Sequence, residues 1–462
     1  MGKCRCCAAK TRACRRTILI LLAGSIVVVV ALPLGAQVVE TAPTTTAQTS
    51  TAATPANEPA SGEGALIFSP AAAPLPADLI PTGNGLITSA LGPNKGPFEY
   101  AIHLTIREAY DDNIALTRIN RLHDWFVEIQ PSLLVGVGDL VKQDTFLAAI
   151  YLPSFYRYDE HSAFDSDQHI VHVLGGITTS KWILRMSQDV AIRNNVVLAG
   201  TSAERSGLGA INGRTDLDTY NTRLSANYNM TPSDFMFSEL KMIRTEYAAP
   251  LISSELYGAA LYLNHGFTPQ FVLGFGVEGG YDAVDFPTPD QTLVQANAHL
   301  NYTPGKQFSF DVIAGEEFRN FQNIARGDYS TPVFVISAAF SPNDDIKLAL
   351  TAMREIYNSA AATAQDYVDT SINGLTREHI CKPLYFTLLG GYEHVEYFNA
   401  IDLPMPLPTL EDDFFYIQPS VDIVLTRFWL FGGYYLRRQN TGSVSTIDFH
   451  ANEFGVRTTI KF

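Results

Sequence analysis

From Phe98 to the C-terminus, hydrophobic and polar residues alternate along much of the chain. In the first such run, Phe98, Tyr100, Ile102, Leu104 and Ile106 are separated by mainly polar residues. Period-two alternation puts the two kinds of side chain on opposite faces of a β-strand. The runs reach about 11–15 residues, whereas strands of globular proteins have about 5–6, and a tilted bilayer-spanning strand needs about 9–11. The pattern therefore favours a membrane barrel over a soluble sandwich.

The connections between these runs differ in length. Four Pro-marked turns begin at Thr231, Thr268, Thr303 and Ser341, which are 37, 35 and 38 residues apart. This spacing fits a repeated hairpin of one strand, a loop, a second strand and a tight turn. Longer polar connections, such as Asn194–Gly213, lie between the turns. Short turns at one end and long loops at the other are typical of outer-membrane barrels.

The alternating runs predict an all-β fold, a transmembrane antiparallel up-and-down β-barrel over residues 98–462. They amount to about 18 strands, with 16 as the alternative count. An even number returns both ends of the barrel to the same side, which we expect to be the periplasmic side of a Gram-negative-type outer membrane.

Alternation alone does not distinguish a lipid-facing surface from a soluble core. Arg244, Glu316 and Arg354 interrupt the apolar face, but they lie towards the loop ends of their strands, where a lipid-facing charge costs least. Aromatic residues follow several tight turns, as expected for a girdle at a membrane interface. These residues are Phe98, Phe146, Trp182, Phe271, Phe308 and Trp429.

The N-terminal region has the pattern of a secretory signal. Residues 1–16 carry six basic residues and no acid, an uncharged run follows from Thr17 to Ala31, and small residues precede Gln37. We predict a signal peptide over 1–36, with a retained membrane anchor as the alternative. Residues 37–97 are rich in Ala, Pro and Thr and predict a disordered periplasmic linker.

Charge and cysteine content exclude several classes of protein. The full chain has a net charge of −15, and losing six basic residues leaves 26 Lys and Arg against 47 Asp and Glu, or −21. Such acidity argues against a nucleic-acid partner. Four of the five cysteines lie in the predicted signal, so Cys381 alone would remain. A single Cys forms neither an intrachain disulfide nor a Cys/His metal cluster.

Residues with catalytic potential are scattered. His123, His161, His394 and His450 have no serine at a recognisable spacing, and no Gly-rich phosphate loop opens a helix. The acidic clusters lack the fixed spacing of a calcium loop. The sequence therefore predicts no enzyme, no cofactor and no metal site, with a lipid hydrolase as a distant alternative.

The polar faces of the strands carry charges of both signs that we expect to line the lumen. An aqueous lumen of this kind would bind and orient hydrated solutes, although pairing across strands is the alternative role of these charges. The loop Asn194–Gly213 is the candidate constriction. The predicted lumen-lining residues are His103, Arg107, Arg157, Lys181, Arg185, Asp189, Arg193, Arg223, Glu278, Asp282, Asp311, Glu317, Arg319, Lys347, Glu355, Glu393, Asp422, Arg457 and Lys461.

One short stretch resembles a known family. Asp111, Asp112 and Asn113 follow the first strand, and an aromatic-rich strand then leads to Gln130 and Pro131. This stretch resembles the opening of the β-barrel porin 2 family. The resemblance implies an outer-membrane barrel encoded with an exopolysaccharide export system, and it supplies no catalytic residues.

These observations predict an outer-membrane, porin-like channel for hydrophilic solutes, with polysaccharide export as the role that the resemblance implies. The expected partners are outer-membrane lipid, lipopolysaccharide, a hydrophilic solute or polysaccharide, and export-system proteins. The alternative is a non-conducting structural barrel that binds an export or envelope partner through its acidic loops or its linker.

Overall fold

The computed structural model describes residues 98–138, 140, 144–197, 214–305, 307–322, 328–343, 345–361, 365–399, 410–443 and 448–462. The predicted signal peptide (1–36) and linker (37–97) lie outside these residues, so both boundaries stay predictions. No helix among the described residues is long and apolar enough to cross a membrane.

The described chain is almost entirely β-structure, with one short 3-10 turn at Ser162–Phe164. The strands are β1 (Phe98–Asp111), β2 (Asp124–Gly138), β3 (Thr145–Tyr158), β4 (Ser166–Thr178), β5 (Trp182–Val197), β6 (Arg214–Asn229), β7 (Asp234–Tyr247), β8 (Ser254–Thr268), β9 (Phe271–Val284), β10 (Gln291–Gly305), β11 (Phe308–Phe321), β12 (Tyr329–Asn343), β13 (Ile346–Asn358), β14 (Gln365–Cys381), β15 (Leu384–Asn399), β16 (Glu411–Thr426), β17 (Trp429–Gly442) and β18 (Phe449–Lys461).

The strands form one closed antiparallel barrel. Each strand pairs with the next in sequence, and β1 also pairs with β18 from His103 opposite Lys461 to Asp111 opposite Glu453. Closure pairs the two terminal strands with each other, which satisfies their backbone groups where they pair. The predicted 18-stranded up-and-down barrel is confirmed.

The two ends of the barrel differ, as the connections predict. At the short-turn end, strands are joined by tight turns such as 269–270 and 382–383, and both chain ends of the barrel lie there. At the long-loop end, the connections include 112–123, 159–165 and 248–253.

Side chains alternate between the lumen and the outer surface. On β9, Glu278 and Asp282 are buried, whereas Phe275 and Val277 are 67% and 56% exposed. The exposed apolar positions recur on neighbouring strands, for example at Leu240. The wall therefore has a polar inner face and an apolar outer face.

Aromatic rings form a row on the outer face at the short-turn end of β8–β12. Phe271 lies between Phe267 and Tyr302, with ring centroids 5.8 and 6.4 Å away. Phe308 continues the row to Phe340 at 6.4 Å. A row of rings at one level is the arrangement of an interfacial girdle.

The prediction that Phe146 belongs to this girdle is wrong. Phe146 lies at an inward-facing position of β3, and the guanidinium of Arg185 lies 5.7 Å from its ring centroid. The aromatic residue follows a turn as predicted, but the strand register turns it towards the lumen.

A second aromatic group lies on the outer face near the long-loop end. The ring of Tyr110 lies 5.5 Å from Trp125 and 5.2 Å from Phe454. The hydroxyls of Tyr392 and Tyr435 donate to Asp413 and Asn452 nearer the loops. Rings in the wall with hydroxyls bonded towards the loops suit a second membrane interface.

Candidate functional site

The lumen is the candidate functional site, because most of the charged residues predicted to line it lie at inward-facing positions. There they alternate with the exposed apolar residues of the outer surface. The inward-facing residues are His103, Arg107, Arg185, Asp189, Arg193, Arg223, Glu278, Asp282, Asp311, Glu317, Arg319, Lys347, Glu355, Glu393, Asp422, Arg457 and Lys461.

Two predicted lumen residues lie elsewhere. Arg157 lies at an outward-facing position near the end of β3, with a half-exposed side chain that pairs with Asp167 at 2.7 Å. Lys181 lies in the turn before β5 begins at Trp182. Both positions are beyond the apolar belt, where the outer face also meets water, so a polar residue there does not indicate the lumen.

Three glutamates form one row across the inner wall. Glu239 on β7 is opposite Ala260 on β8, which is opposite Glu278 on β9. Gln295 on β10 is opposite both Glu278 and Glu317 on β11, so these two glutamates lie at the same height in the wall. All three carboxylates are buried, at 4%, 3% and 2% exposure. Buried carboxylates need charged or hydrogen-bonding partners.

The next row towards the long-loop end supplies those partners. This second row contains Arg223, Lys241 and Arg319. They lie at one level because the intervening cross-strand partners are Gly258, Gly280 and Leu293. Arg223 pairs with Glu239 at 3.1 Å, and Arg319 pairs with Glu317 at 2.7 Å. Lys241 pairs with Glu278. The inner wall therefore carries a basic row directly beside an acidic row, with the two rows paired.

A second charged network joins the first and last strands. Arg107 on β1 contacts Glu128 at 2.7 Å and Glu453 at 3.2 Å. The Tyr434 hydroxyl donates to Glu453 at 2.5 Å and accepts from Arg107 at 3.1 Å. The guanidinium also lies 5.2 Å from the ring centroid of Phe126. Opposite charges on β1, β2 and β18 therefore support the closure of the barrel.

Further pairs occupy the inner wall nearer the short-turn end. Arg457 donates from Nη2 to both carboxylate oxygens of Asp422, at 2.9 and 2.8 Å. His299 lies 3.1 Å from Asp311. The lumen charges are thus organised as local pairs, which agrees with the pairing role that the sequence left open.

The Asp111-Asp112-Asn113 stretch holds a loop against the barrel mouth. The Asp111 carboxylate accepts from Arg438 at 2.6 Å, and Asp112 accepts from the backbone of Asn452 at 2.7 Å. The Asn113 amide donates to the carbonyls of Thr117 at 2.8 Å and His450 at 2.9 Å. These bonds give the stretch a structural role at the join between β1 and β18.

The loop that Asn113 anchors puts apolar side chains on the lumen. Leu116 is buried in a cluster with Phe126, Phe414 and Tyr434 on the inner wall. Arg214 at the start of β6 donates to the Ile114 carbonyl at 3.4 Å. The loop 112–123 therefore covers part of the lumen mouth.

A hairpin from the wall also enters the lumen. Pairing between β12 and β13 ends at Phe334 opposite Arg354, whereas β13 stays paired with β14 as far as Asn358 opposite Asp366. We call residues 355–358 of β13, 359–361 and 365–369 of β14 the inward hairpin. Beyond Arg354, the inward hairpin is not paired with β12 and no longer continues the barrel wall.

Contacts of the inward hairpin show where it lies. The Asn358 amide donates to Asp282 on β9 at 2.5 Å and accepts from Gln291 on β10 at 2.8 Å. Arg319 on β11 lies 3.9 Å from the Asp366 carboxylate. Asn358 and Asp366 occupy outward-facing positions of their own strands, yet they meet inward-facing residues of the wall. The inward hairpin therefore packs as a second layer inside β9–β11.

The strand next to the inward hairpin follows it into the lumen. Phe398, at an outward-facing position of β15, stacks on Tyr329 of β12 with ring centroids 4.0 Å apart and a 12° interplanar angle. The ring centroid of Phe321, on the inner face of β11, lies 6.4 Å from the ring centroid of Phe398. The upper part of β15 thus also overlaps the inside of the β11–β12 wall.

The tip of the inward hairpin reaches the far side of the mouth. The backbone of Ile252 in the loop 248–253 donates to the Ala360 carbonyl at 2.9 Å. Ala360 is buried beside Val196 and Leu217, which belong to β5 and β6. The inward hairpin and the loop 112–123 together narrow the lumen at the long-loop end.

Some charged residues of the lumen were missed by the sequence prediction. They are Glu128, Glu239, Lys241, Arg438 and Glu453. Glu239, Glu278 and Glu317 recur at intervals of 39 residues, close to the spacing of the Pro-marked turns. This recurrence is a signal that could have identified Glu239.

Two further sequence predictions concern the loops and metals. In the candidate constriction Asn194–Gly213, residues 198–213 lie outside the described residues, so its role stays a prediction. Within the part of the chain that the structure describes, no group of three or more His, Cys, Asp or Glu side chains is arranged to hold a metal ion.

Comparisons with known proteins give only remote similarities. No family model matches the chain, and no curated protein matches it. The resemblance to the β-barrel porin 2 family therefore rests on its short motif alone.

Solved structures that are similar include the FrpB iron transporter of Neisseria meningitidis, with 8% identity, a TM-score of 0.43, and coverage of 81% of this chain and 82% of that chain. OccK2 (OpdF) of Pseudomonas aeruginosa in complex with glucuronate has 12% identity, a TM-score of 0.40, and coverage of 79% and 98%. The outer membrane protein opdK of the same organism has 11% identity, a TM-score of 0.39, and coverage of 79% and 99%. With TM-scores this low, the similarities carry no inference about function.

Proposed function

We propose that this protein is an outer-membrane channel for hydrophilic solutes. The outer face supports the membrane location, because exposed apolar residues such as Phe275 and Leu240 lie between two aromatic groups. A closed barrel is one of the two folds that satisfy every backbone group in hydrocarbon. Short turns face the periplasm in bacterial barrels, so the long-loop end faces outwards in this proposal.

The observation that carries the channel proposal is the pair of charged rows on the inner wall. Glu239, Glu278 and Glu317 lie beside Arg223, Lys241 and Arg319 along one side of the lumen. Porins of about 16–18 strands enclose an aqueous channel, and charged rows on the inner wall of an 18-stranded barrel suit such a channel.

A non-conducting barrel that binds an envelope partner is the second candidate. It is favoured by the close filling of the lumen, since Tyr367 and Asp369 on the inward hairpin have no measurable exposure. In this case the loops at the long-loop end would carry the function. A role in polysaccharide export, with export-system proteins or lipopolysaccharide as partners, has the short motif around Asp112 as its support.

A liposome-swelling assay with the purified full chain distinguishes the two functions. Vesicles that contain the protein are diluted into iso-osmotic solutions of uncharged sugars of increasing size, and empty vesicles serve as the control. The channel proposal predicts swelling with small sugars and none above a size limit. Absence of swelling with every sugar, and of any ion conductance, would favour the non-conducting barrel.

The loop Asn194–Gly213 is tested separately. If it constricts the lumen, a variant that lacks most of this loop conducts more ions than the complete chain. Unchanged conductance would reject that role and leave the channel proposal standing.

A further inference from the structure

We infer that the inward hairpin is a movable gate, which closes the lumen when it lies inside the wall and opens it when it joins β12. This inference rests on the proposed channel function and adds its regulation. The gate begins at the last β12–β13 pair, Phe334 opposite Arg354.

The inward hairpin remains intact where it leaves the wall. Its two strands keep their mutual register from Arg354 opposite Thr370 to Asn358 opposite Asp366. β12 itself continues to pair with β11 as far as Tyr329 opposite Arg319. The gap therefore opens between β12 and β13, so the inward hairpin can move together with the paired end of β15, residues 395–399, without breaking either ladder.

The pairing position beside β12 that the inward hairpin does not occupy is still available. Extending the register beyond Phe334 and Arg354 would bring Ser330 opposite Asn358, and both side chains would point to the outer face. The β12 residues 329–333 have no β13 partner in the structure. Antiparallel pairing of these edges would replace the contacts that the inward hairpin loses by moving.

Polar contacts help to hold the inward hairpin inside the wall. They include the Asn358 bonds to Asp282 and Gln291, and the Arg319–Asp366 pair. Arg319 also donates to Gln291 at 3.0 Å, so these two wall residues keep a partner when the inward hairpin moves away. This arrangement suits an element that can occupy two positions.

Arg354 occupies the point where the two layers separate. Its guanidinium donates to Thr370 on β14 at 2.6 Å and to Thr331 on β12 at 3.5 Å. It also lies 3.5 Å from Glu396 on β15. This long charged side chain therefore contacts both layers at the point where they separate.

Movement of the gate would change the lumen directly. The inner face of the inward hairpin carries Tyr357 and Tyr367, whose rings lie 5.7 Å apart, and Tyr397 of β15 lies 5.3 Å from Tyr367. The tip beyond them reaches Ile252 on the opposite side of the mouth. Joining β12 would withdraw this aromatic layer and the tip from the solute path.

One cysteine with two alternative partners tests the gate. In a Cys381→Ser background, which removes the exposed free thiol of the described residues, Asn358→Cys is combined either with Asp282→Cys or with Ser330→Cys. A short bis-methanethiosulfonate reagent bridges the first pair, and oxidation joins the second. Asn358→Cys alone, treated identically, is the control.

Planar-bilayer conductance of the full chain is measured before and after reduction. The Asp282 bridge is expected to lower conductance towards the baseline, and the Ser330 disulfide to raise it several-fold, with both effects reversed by reductant. The gate would be rejected if the bridge between positions 358 and 282 leaves the conductance unchanged, or if the cysteines at positions 358 and 330 never form a disulfide. If no variant conducts, including the joined Ser330 pair, the channel function itself fails.

Discussion

Lys241 on β7 forms an ion pair with Glu278 on β9, although strand β8 lies between them. The lysine side chain passes over Gly258 of β8, where an added Cβ would lie 2.6 Å from the lysine Cε. A single glycine therefore allows a charge on one strand to neutralise a buried charge two strands away.

Gly258→Ala is expected to displace Lys241 from Glu278. The new methyl group competes with the lysine stem for the same space, and overpacking of this kind costs about 1–3 kcal/mol. Urea unfolding of the vesicle-embedded barrel, followed by tryptophan fluorescence, measures the loss. Gly279→Ala is the matched control, since its nearest neighbour would be a carbonyl oxygen 3.8 Å away. Equal stability of the two variants would contradict the role of Gly258.

Lys241→Met is expected to destabilise the barrel more than removal of the whole ion pair. The single variant leaves Glu278 buried without its cation, which costs about 3–5 kcal/mol. The double variant Lys241→Met/Glu278→Met removes both charges and should recover most of the loss. The same unfolding measurement checks this prediction, and a double variant no more stable than the single one would refute it.

Asn113→Ala is expected to release the loop 112–123 from the barrel mouth. The side chain donates to the carbonyls of Thr117 and His450 and accepts from the Thr117 backbone at 3.0 Å. Loss of these bonds costs about 1–3 kcal/mol, measured by urea unfolding, and should expose the loop to protease.

Ile119→Ala, at a 73% exposed position in the same loop, is the control for Asn113→Ala. It should leave both the unfolding midpoint and the cleavage rate unchanged. Protease cleavage of the two variants at equal rates would show that Asn113 does not anchor the loop.

Asp366→Asn is expected to favour the open position of the inward hairpin. The substitution keeps the size of the side chain but removes the charge that faces Arg319. A loss of about 1.4 kcal/mol would raise the ratio of open to closed states about tenfold. Single-channel open times measure this ratio, with Glu411→Gln at the exposed start of β16 as the control. Shorter open times in Asp366→Asn would contradict the closing role of the pair.

The sequence was sufficient to predict the barrel because successive hairpins repeat the same alternation of hydrophobic and polar residues. Alternation runs from Phe98 to Phe462, and the turns at Thr231, Thr268 and Thr303 mark successive hairpins. Because the side-chain period of a strand is two, the same pattern also predicts which residues face inwards. Glu278 and Arg319 were identified in this way.

The inward hairpin could not be predicted from the same pattern. Asn358 and Asp366 are polar residues at outward-facing positions near the loops, which is the ordinary composition of a strand end outside lipid. Only packing against Asp282 and Arg319 gives these residues their position inside the wall. Arg157 was assigned to the lumen for a related reason. It is a polar residue near a strand end, but its side chain faces the water outside the barrel.

Planar-bilayer recording of the purified, unmodified full chain determines whether the barrel is a gated channel. Flotation of the same protein with lipid vesicles first establishes that the barrel is inserted. We expect discrete single-channel currents interrupted by closures, because Asn358 and Asp366 hold the inward hairpin in the lumen only part of the time. The channel function would be contradicted if the inserted barrel passes no current at any applied voltage, both in the unmodified chain and with the inward hairpin fixed open by the Asn358→Cys/Ser330→Cys disulfide.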